Sequence, residues 1–203
     1  MAAVKPTRQE LLKIKAQMRT ARRGHSLLKD KRDGLIKIFL GIIKMALDLR
    51  KKVDDDIIKA FEHYAFASAS SSSETLMAIA KNSNAHVDIS LVKKNIMGVK
   101  VPSIEFAVTG DPMCYSFLET TADLDRSIST LTKMMPELMK LAELEYTALL
   151  LAEEIEKTRR RVNALEHVIV PRMKKDMKFI VSTLEEMARQ QTVGLIKLKQ
   201  RMV

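Results

Sequence analysis

Residue types that perform acid–base, nucleophilic or metal chemistry are few in this chain and scattered along it. No two histidines stand at the spacing that places two metal ligands on one helix face, and neither a glycine-rich phosphate loop nor a cysteine pair occurs. The adjacent carboxylates Glu153–Glu154 and Glu185–Glu186 lie among lysines and arginines, which is typical of a solvated helix face. We therefore expect no catalytic residue, metal or cofactor, and a chain that is not itself an enzyme. The histidines are His25, His63, His86 and His167.

The single cysteine, Cys114, excludes an intramolecular disulfide and fits a reducing compartment. The N-terminus lacks the apolar run of a signal peptide. The strongest apolar stretch, residues 35–49, is interrupted by Lys37, Lys44 and Asp48, so no bilayer span is predicted. These features favour a cytoplasmic protein without direct membrane insertion.

Charge is unevenly distributed along the sequence. Residues 1–32 contain ten Lys and Arg against two Asp and Glu, and residues 157–203 contain twelve against four, whereas residues 33–156 contain 13 against 19. An acidic partner is expected for the two basic segments. A nucleic acid is the alternative, which would make the chain a basic coiled-coil nucleic-acid-binding or scaffold protein. The segments contain only one aromatic residue for base stacking, Phe179, so nucleic acid is not the expected partner.

A heptad pattern in the first third of the chain predicts a long helix. Fourteen positions advance by three and four residues in strict alternation, and eleven of them are apolar. A helix from about Arg8 to about Ala67 would be roughly 90 Å long and must bury its apolar stripe on a partner. The predicted stripe is Leu11, Ile14, Met18, Ala21, His25, Leu28, Arg32, Leu35, Phe39, Ile42, Ala46, Leu49, Val53 and Asp56.

The last third of the chain contains a matching stripe. The two stripes predict an elongated all-α fold, a long antiparallel left-handed two-helix coiled coil with a small central β-hairpin head. Because proline removes a backbone donor, Pro136 and Pro171 are expected to bend or distort the return helix. The second stripe runs through Leu124, Ile128, Leu131, Met135 and Leu138, and then through Leu141, Leu144, Ala148, Leu151, Ile155, Thr158, Val162, Leu165 and Ile169.

Two short elements are predicted between the long helices. A capping box at Ser71 and Glu74 predicts a helix that ends near Asn82, although a serine-rich linker fits the same residues. Alternating apolar residues follow on both sides of a turn at residues 95–98, which predicts a β-hairpin, and a further extended stretch ends at Gly110. The expected divisions are residues 1–67 for the first helix, 68–117 for the head and 118–203 for the return helix.

Three segments resemble a known family. Residues 159–172 read RRRVNALEHVIVPR, residues 21–33 read ARRGHSLLKDKRD, and residues 96–102 read IMGVKVP. They are similar to signatures of the D subunit, the central rotor subunit of V-type and archaeal A-type ATPases and ATP synthases. Since the matches lie at both ends and in the centre, the resemblance covers essentially the whole chain.

The resemblance implies a non-catalytic rotor axle in a peripheral sector on the cytoplasmic side of a membrane. It implies partners in the A and B subunits of the catalytic hexamer, in the F subunit of the central stalk, and in the cup-shaped adaptor above the membrane rotor ring. Residues matching the signatures are expected to contact the hexamer or to couple it to rotation. They are Arg22, Arg23, Lys29, Arg159, Arg160, Arg161, Asn163 and Glu166.

Overall fold

In the part of the chain that the structure describes, the fold is all-α apart from one two-stranded hairpin, as the sequence predicts. The computed structural model describes residues 5–81, 83–116 and 120–201. The first long helix has 63 residues, and the return helix is continuous except for five residues of π-helix. In chain order the elements are α1 (Arg8–Ser70), α2 (Ser73–Lys81), β1 (His86–Ile96), β2 (Val99–Thr109), α3 (Ala122–Ala164), the π-helix (Leu165–Ile169) and α4 (Val170–Arg201).

The chain divides into two compact units. The terminal unit comprises Met1–Gly34 and Ile155–Val203, and the central unit comprises Leu35–Glu154. In the central unit, later residues of α1 meet earlier residues of α3, so the two helices are antiparallel. Arg50 bonds to Glu145 at 3.2 Å, whereas His63 lies 3.4 Å from Asp123. A core of Val53, Met134 and Leu141 packs with Ala46, Leu49 and Ile57 between these helices.

The heptad stripe of α1 is confirmed at every position. All fourteen predicted residues are buried or half-buried, including the polar His25, Arg32 and Asp56. Leu35 is completely buried, and Val53 is 2 % exposed. Burial of apolar surface at about 25 cal/mol per Å² is what holds so long a helix against its neighbour.

The stripe of α3 was predicted incorrectly at two positions. Leu131 and Leu138 are exposed, whereas Ser127 and Met134 are buried. The hydroxyl of Ser127 donates to the backbone carbonyl of Ala60 on α1 at 2.9 Å. Two small residues, Ser127 and Ala60, therefore meet between the helices, at a position of α3 that the predicted stripe did not include.

The return helix changes to a π-helix immediately before Pro171. The N–H of Val170 donates to the carbonyl of Leu165, five residues back instead of four. The predicted distortion near Pro171 is thus present. At Pro136, by contrast, α3 continues without a break in helical structure.

The π-helix also accommodates one extra residue in the stripe. The half-buried positions step by five residues, from Leu165 to Val170, and then return to steps of three and four. Ile169, which was predicted to lie in the stripe, is 37 % exposed as a result. The prediction was wrong there because the π-helix shifts the stripe before Ile169, between Leu165 and Val170. The stripe after the π-helix is Val170, Met173, Met177, Ile180 and Leu184.

The short helix α2 is present, but its cap differs from the predicted one. The hydroxyl of Ser72, not of Ser71, accepts a hydrogen bond from the N–H of Glu74 at 3.3 Å. The helix ends at Lys81, and the predicted boundary residue Asn82 lies outside the described residues.

The β-hairpin has the predicted turn and a longer second strand. β1 and β2 pair antiparallel from Ile96 opposite Val99 to His86 opposite Thr109. Met97 and Gly98 form the two-residue turn with φ of 50° and 90°, the conformation that matches strand twist. The side chain of Asn95 accepts from the N–H of Gly98 at 2.9 Å. β2 runs through Pro102 without interruption.

Within the described ranges, no helix has a stretch long and apolar enough to cross a lipid bilayer.

Candidate interaction surface of the terminal unit

The eight residues singled out from the sequence all lie in the terminal unit, and all are exposed. The unit's sequence contains 22 Lys and Arg against eight Asp and Glu, whereas that of the central unit contains 13 against 17. Positive charge is therefore concentrated in the same unit as the candidate residues. Such a surface attracts acidic side chains or other anions.

Glu166 contacts a residue that sequence reasoning did not assign to the site. Its Oε2 lies 3.2 Å from Nε2 of His25, which links the π-helix to α1. The Glu166 side chain is 53 % exposed and that of His25 is 26 % exposed, so solvent screens the pair. His25 interrupts the apolar stripe, and that interruption was the only sequence signal for this contact.

Arg22 borders two depressions in the surface of the terminal unit. One has a volume of about 390 Å³ and a floor of Met18 and Met177; the other has a volume of about 290 Å³ and contains the His25–Glu166 pair. Cationic side chains surround both depressions and could accept carboxylates of a partner protein. Those of the first are Lys15, Arg19, Arg22 and Arg23, and those of the second are Arg22 and Lys174.

Arg159, Arg160 and Arg161 form an exposed triplet on the return helix. Thr158 and Val162, which flank the triplet, are 1 % and 2 % exposed and anchor this turn. The three arginines therefore project from a well-packed turn in three directions about 100° apart. A triplet of this kind covers a wide sector of the helix surface.

Arg160 forms an ion pair with Glu156 one turn earlier. The hydrogen bond from Arg160 and its positive charge hold the pKa of the Glu156 carboxyl below its ordinary value. Both side chains are largely exposed. We expect the pair to orient the guanidinium and to contribute little to stability.

The remaining three candidates, Arg23, Lys29 and Asn163, are exposed side chains of the same unit. Arg23 borders the depression floored by methionine. The structure brings Arg22 and Glu166 to one depression, but shows no contact that joins all eight candidates into one cluster among the described residues.

The central unit contains an apolar hollow of about 540 Å³. Its lining comes from the end of α1, from α2 and from the beginning of α3, and includes Tyr64, Met77 and Leu124. None of the described residues that line it is Asp, Glu, Lys, Arg or His. In the described part of the chain, no group of three or more His, Cys, Asp or Glu could hold a metal ion. The apolar lining is suited to packing against apolar groups of other molecules.

Comparison with known proteins identifies the family. The family model for the D subunit of ATP synthase matches residues 10–200. The chain is 42 % identical over 202 residues to the V-type ATP synthase D subunit of Thermoanaerobacter sp. (strain X514), covering 98 % of this chain and 97 % of that protein. It is 41 % identical over 204 residues to the corresponding D subunits of Acetivibrio thermocellus and Clostridium botulinum (strain ATCC 19397 / Type A), covering 98 % of this chain and 92 % and 94 % of theirs. The chain therefore belongs to the family of ATP synthase D subunits.

Proposed function

We propose that this chain is the non-catalytic central rotor axle of a rotary V/A-type ATPase. In this role it transmits torque between ATP hydrolysis or synthesis in the A/B hexamer and ion translocation in the membrane ring. The observation that carries the proposal is the family match along nearly the whole chain, residues 10–200.

The helices supply what an axle needs mechanically. Paired helices with a buried stripe resist bending and twisting better than a loop does. All fourteen stripe positions of α1 are buried or half-buried, and Leu151, Val162 and Ile180 on the return helix are almost fully buried. Tight interior packing of this kind transmits strain.

The exposed basic surface supplies the proposed contact with the hexamer. An axle must present different surfaces to successive catalytic interfaces, so that each interface is biased toward a different conformation. The eight candidate residues, with the His25–Glu166 pair and the two depressions beside Arg22, provide such an uneven surface. We assign the terminal unit to the pore of the A/B ring, on the cytoplasmic side of the membrane.

The remaining partners in the proposal are the F subunit, bound to the side of the axle, and the cup-shaped adaptor above the membrane ring. The exposed apolar side chains of α1 in the central unit, such as Phe61 and Phe66, are suited to such contacts. No nucleic acid is assigned as a partner, because Phe179 is the only aromatic residue of the terminal unit.

Reconstitution tests the proposal directly. The full chain would be mixed with purified A/B hexamer and the F subunit, and ATP-driven rotation of a bead on the central unit would be recorded. Stoichiometric assembly with stepwise rotation is expected. Failure to join the hexamer, together with salt-dependent binding of DNA or RNA, would favour the nucleic-acid alternative instead.

A charge-reversal variant tests the contact residues. Changing Arg159, Arg160 and Arg161 to Glu should lower ATP-driven ion pumping at least about tenfold relative to ATP hydrolysis, because the new glutamates would be repelled by the acidic partner surface that we expect to face this unit. The matched control reverses Lys51, Lys52 and Lys133, which are exposed lysines of the central unit, and should leave coupling unchanged. Unchanged pumping in the arginine variant, with normal helical content, would contradict the assignment.

A further inference from the structure

The two edges of the β-hairpin differ in whether their outward-facing N–H and C=O groups are available for hydrogen bonds to another strand. On the outer edge of β2, the N–H of Ile104 donates to Oε2 of Glu143 on α3 at 3.0 Å. Pro102, two residues earlier on the same edge, has no N–H to donate. Val101 and Ser103 on β2 are buried. This edge is therefore closed to another strand.

The strand register determines the direction of the backbone groups in β1. Ile104 lies opposite Leu91. Because the N–H of Ile104 points away from β1, the two residues form a non-hydrogen-bonded pair of the antiparallel sheet. Leu91 consequently turns its N–H and C=O outward as well. The same holds for Ile89 and Lys93, two residues away on either side. β1 thus has a row of outward donors and acceptors.

Nothing in the described part of the chain covers that row. The sheet has two strands, and all residues of β1 except Ile96 are exposed. Leu91 is 67 % exposed and Ile89 is 53 % exposed. A long exposed edge with apolar side chains is a template for pairing with another chain.

One face of the hairpin adds side-chain recognition to the free edge. Val87, Ile89 and Leu91 lie on the same face because side chains alternate along a strand. Opposite them are three apolar residues of β2, in the pairs Val87–Val108, Ile89–Phe106 and Leu91–Ile104. An incoming strand with apolar residues at alternate positions would extend this ladder.

Charge at the two ends of β1 specifies the chemistry of the incoming strand. Lys93 and Lys94 are exposed near the turn, and Nζ of Lys94 donates to the hydroxyl of Ser103 at 2.7 Å. Asp88 is exposed near the other end. Acidic residues opposite the two lysines would be favoured, and lysines there would be repelled.

We propose that β1 binds an extended segment of another protein as the third strand of the sheet. The segment carries apolar side chains at alternate positions against Ile89 and Leu91, and acidic side chains opposite Lys93 and Lys94. Main-chain hydrogen bonds provide affinity, and the side chains provide selectivity. This interaction goes beyond the rotor role and does not depend on it.

A designed peptide tests the proposal on the isolated full chain. The probe is an acetylated octapeptide that begins with two glutamates and then alternates threonine with isoleucine or valine, with one lysine placed opposite Asp88. Amide exchange measured by NMR should slow at least about tenfold at Ile89, Leu91 and Lys93 when the peptide saturates. The matched control peptide has lysines in place of both glutamates and should bind at least about tenfold more weakly.

Two variants at Leu91 separate the backbone contribution from that of the side chain. Leu91→Pro removes one outward donor but no hydrogen bond of the hairpin, and should weaken binding about tenfold. Leu91→Ala keeps the donor and should weaken binding less. If the proline variant loses its hairpin, a Lys93→Glu, Lys94→Glu variant replaces it and should prefer the lysine peptide.

Three results would overturn the proposal. They are unchanged exchange at the outward amides, equal binding of both peptides, and concentration-dependent protection of these amides without peptide. The last result would assign the edge to a second copy of this chain. Because the rotor assembly is absent from this experiment, its failure cannot be confused with failure of the proposed function.

Discussion

Single polar side chains make specific contacts in both units. In the terminal unit His25 meets Glu166, and in the central unit the Ser127 hydroxyl meets the carbonyl of Ala60. Before α3, the Tyr115 hydroxyl donates to Oδ1 of Asp125. The heptad stripe of α1 could be predicted because apolar periodicity depends on local sequence alone. These polar contacts could not, because each depends on which residue the partner helix presents.

The Tyr115–Asp125 bond predicts a stability difference at alkaline pH. The pKa of Tyr115 lies well above its ordinary value. Partial burial raises it most, followed by the hydrogen bond and charge of Asp125 and then by the charge of Asp111. Because the pKa of Tyr115 is higher in the folded than in the unfolded protein, its hydrogen bond stabilises the fold fully below about pH 10, the pKa in the unfolded protein. This stabilisation is lost as the pH rises above that value. Tyr115→Phe should lower the free energy of unfolding by about 1–2 kcal/mol at pH 8.

Urea unfolding at pH 8 and at pH 11 measures that difference, which should shrink at the higher pH. Tyr146→Phe is the control, because Tyr146 is 53 % exposed. A Tyr115→Phe variant as stable as the wild type at pH 8 would contradict the prediction.

Gly24 offers a stabilising substitution in α1. A glycine inside a helix is either required by a close approach of another helix or tolerated at the surface. Apart from its chain neighbours and the backbone of its own helix, no described heavy atom would lie within 4 Å of a Cβ at Gly24, so close approach is wrong for this residue. Gly24→Ala should raise the free energy of unfolding by about 0.5–1 kcal/mol, since alanine restricts the unfolded chain and favours the helix. Thermal and urea unfolding measure the change.

Gly110→Ala is the opposing control. Gly110 has a φ of 90°, and an added Cβ would lie 2.1 Å from the carbonyl oxygen of Asn84. This substitution should lower the free energy of unfolding by about 1–3 kcal/mol. If Gly24→Ala and Gly110→Ala changed the free energy of unfolding equally, the distinction between a tolerated glycine and a required one would be wrong.

At the level of elements, the π-helix explains how one stripe continues past Pro171. The sequence predicted a bend or distortion of the helix at Pro171, but it could not distinguish a kink from an inserted residue. To make that distinction, one must know which residues of the return helix are buried on each side of Pro171. The hairpin, in contrast, was predictable with its turn, because Asn95 and Gly98 stand where the turn geometry requires them.

Removing one residue from the π-helix tests the insertion. Deleting Val168, which is 61 % exposed, together with Pro171→Ala, should yield an uninterrupted α-helix and keep the stripe of α4 in place. The free energy of unfolding should change by less than about 1 kcal/mol. The Val170 amide should then bond four residues back, which NMR can detect.

The matched deletion is Leu149, which is 56 % exposed within regular helix. Its loss rotates the helix by about 100° and turns polar residues into the stripe, so stability should fall by more than about 3 kcal/mol. If the deletions of Val168 and Leu149 lowered the free energy of unfolding equally, the π-helix would not be the place where one extra residue is inserted into the helix.

Over the whole molecule, charge is separated between two differently balanced units. The terminal unit has a large excess of Lys and Arg, while the central unit has a small excess of Asp and Glu. Sequence counts predicted this separation along the chain, and the fold gathers both basic ends into one unit. Which individual side chains contact a partner depends on that partner's surface, which the sequence of this chain does not contain.

The charge excess predicts a salt dependence confined to one unit. Screening extends over about 10 Å at 0.1 M salt but about 30 Å at 0.01 M, so self-repulsion in the terminal unit should grow as salt is removed. Amide exchange in residues 8–34 and 155–201 should be faster at 0.01 M than at 0.1 M NaCl. Exchange in residues 35–81 should change little. A uniform response of both units would contradict this expectation.

Cys114 is exposed, and its thiol donates to the carbonyl of Asp111 at 3.2 Å. As the only cysteine in the sequence, it provides one defined attachment point in the central unit, which contains none of the eight proposed contact residues. A thiol-reactive fluorophore would therefore label the natural sequence at a single known position. Orientation of the central unit could then be followed by polarised fluorescence with every native side chain of the terminal unit retained.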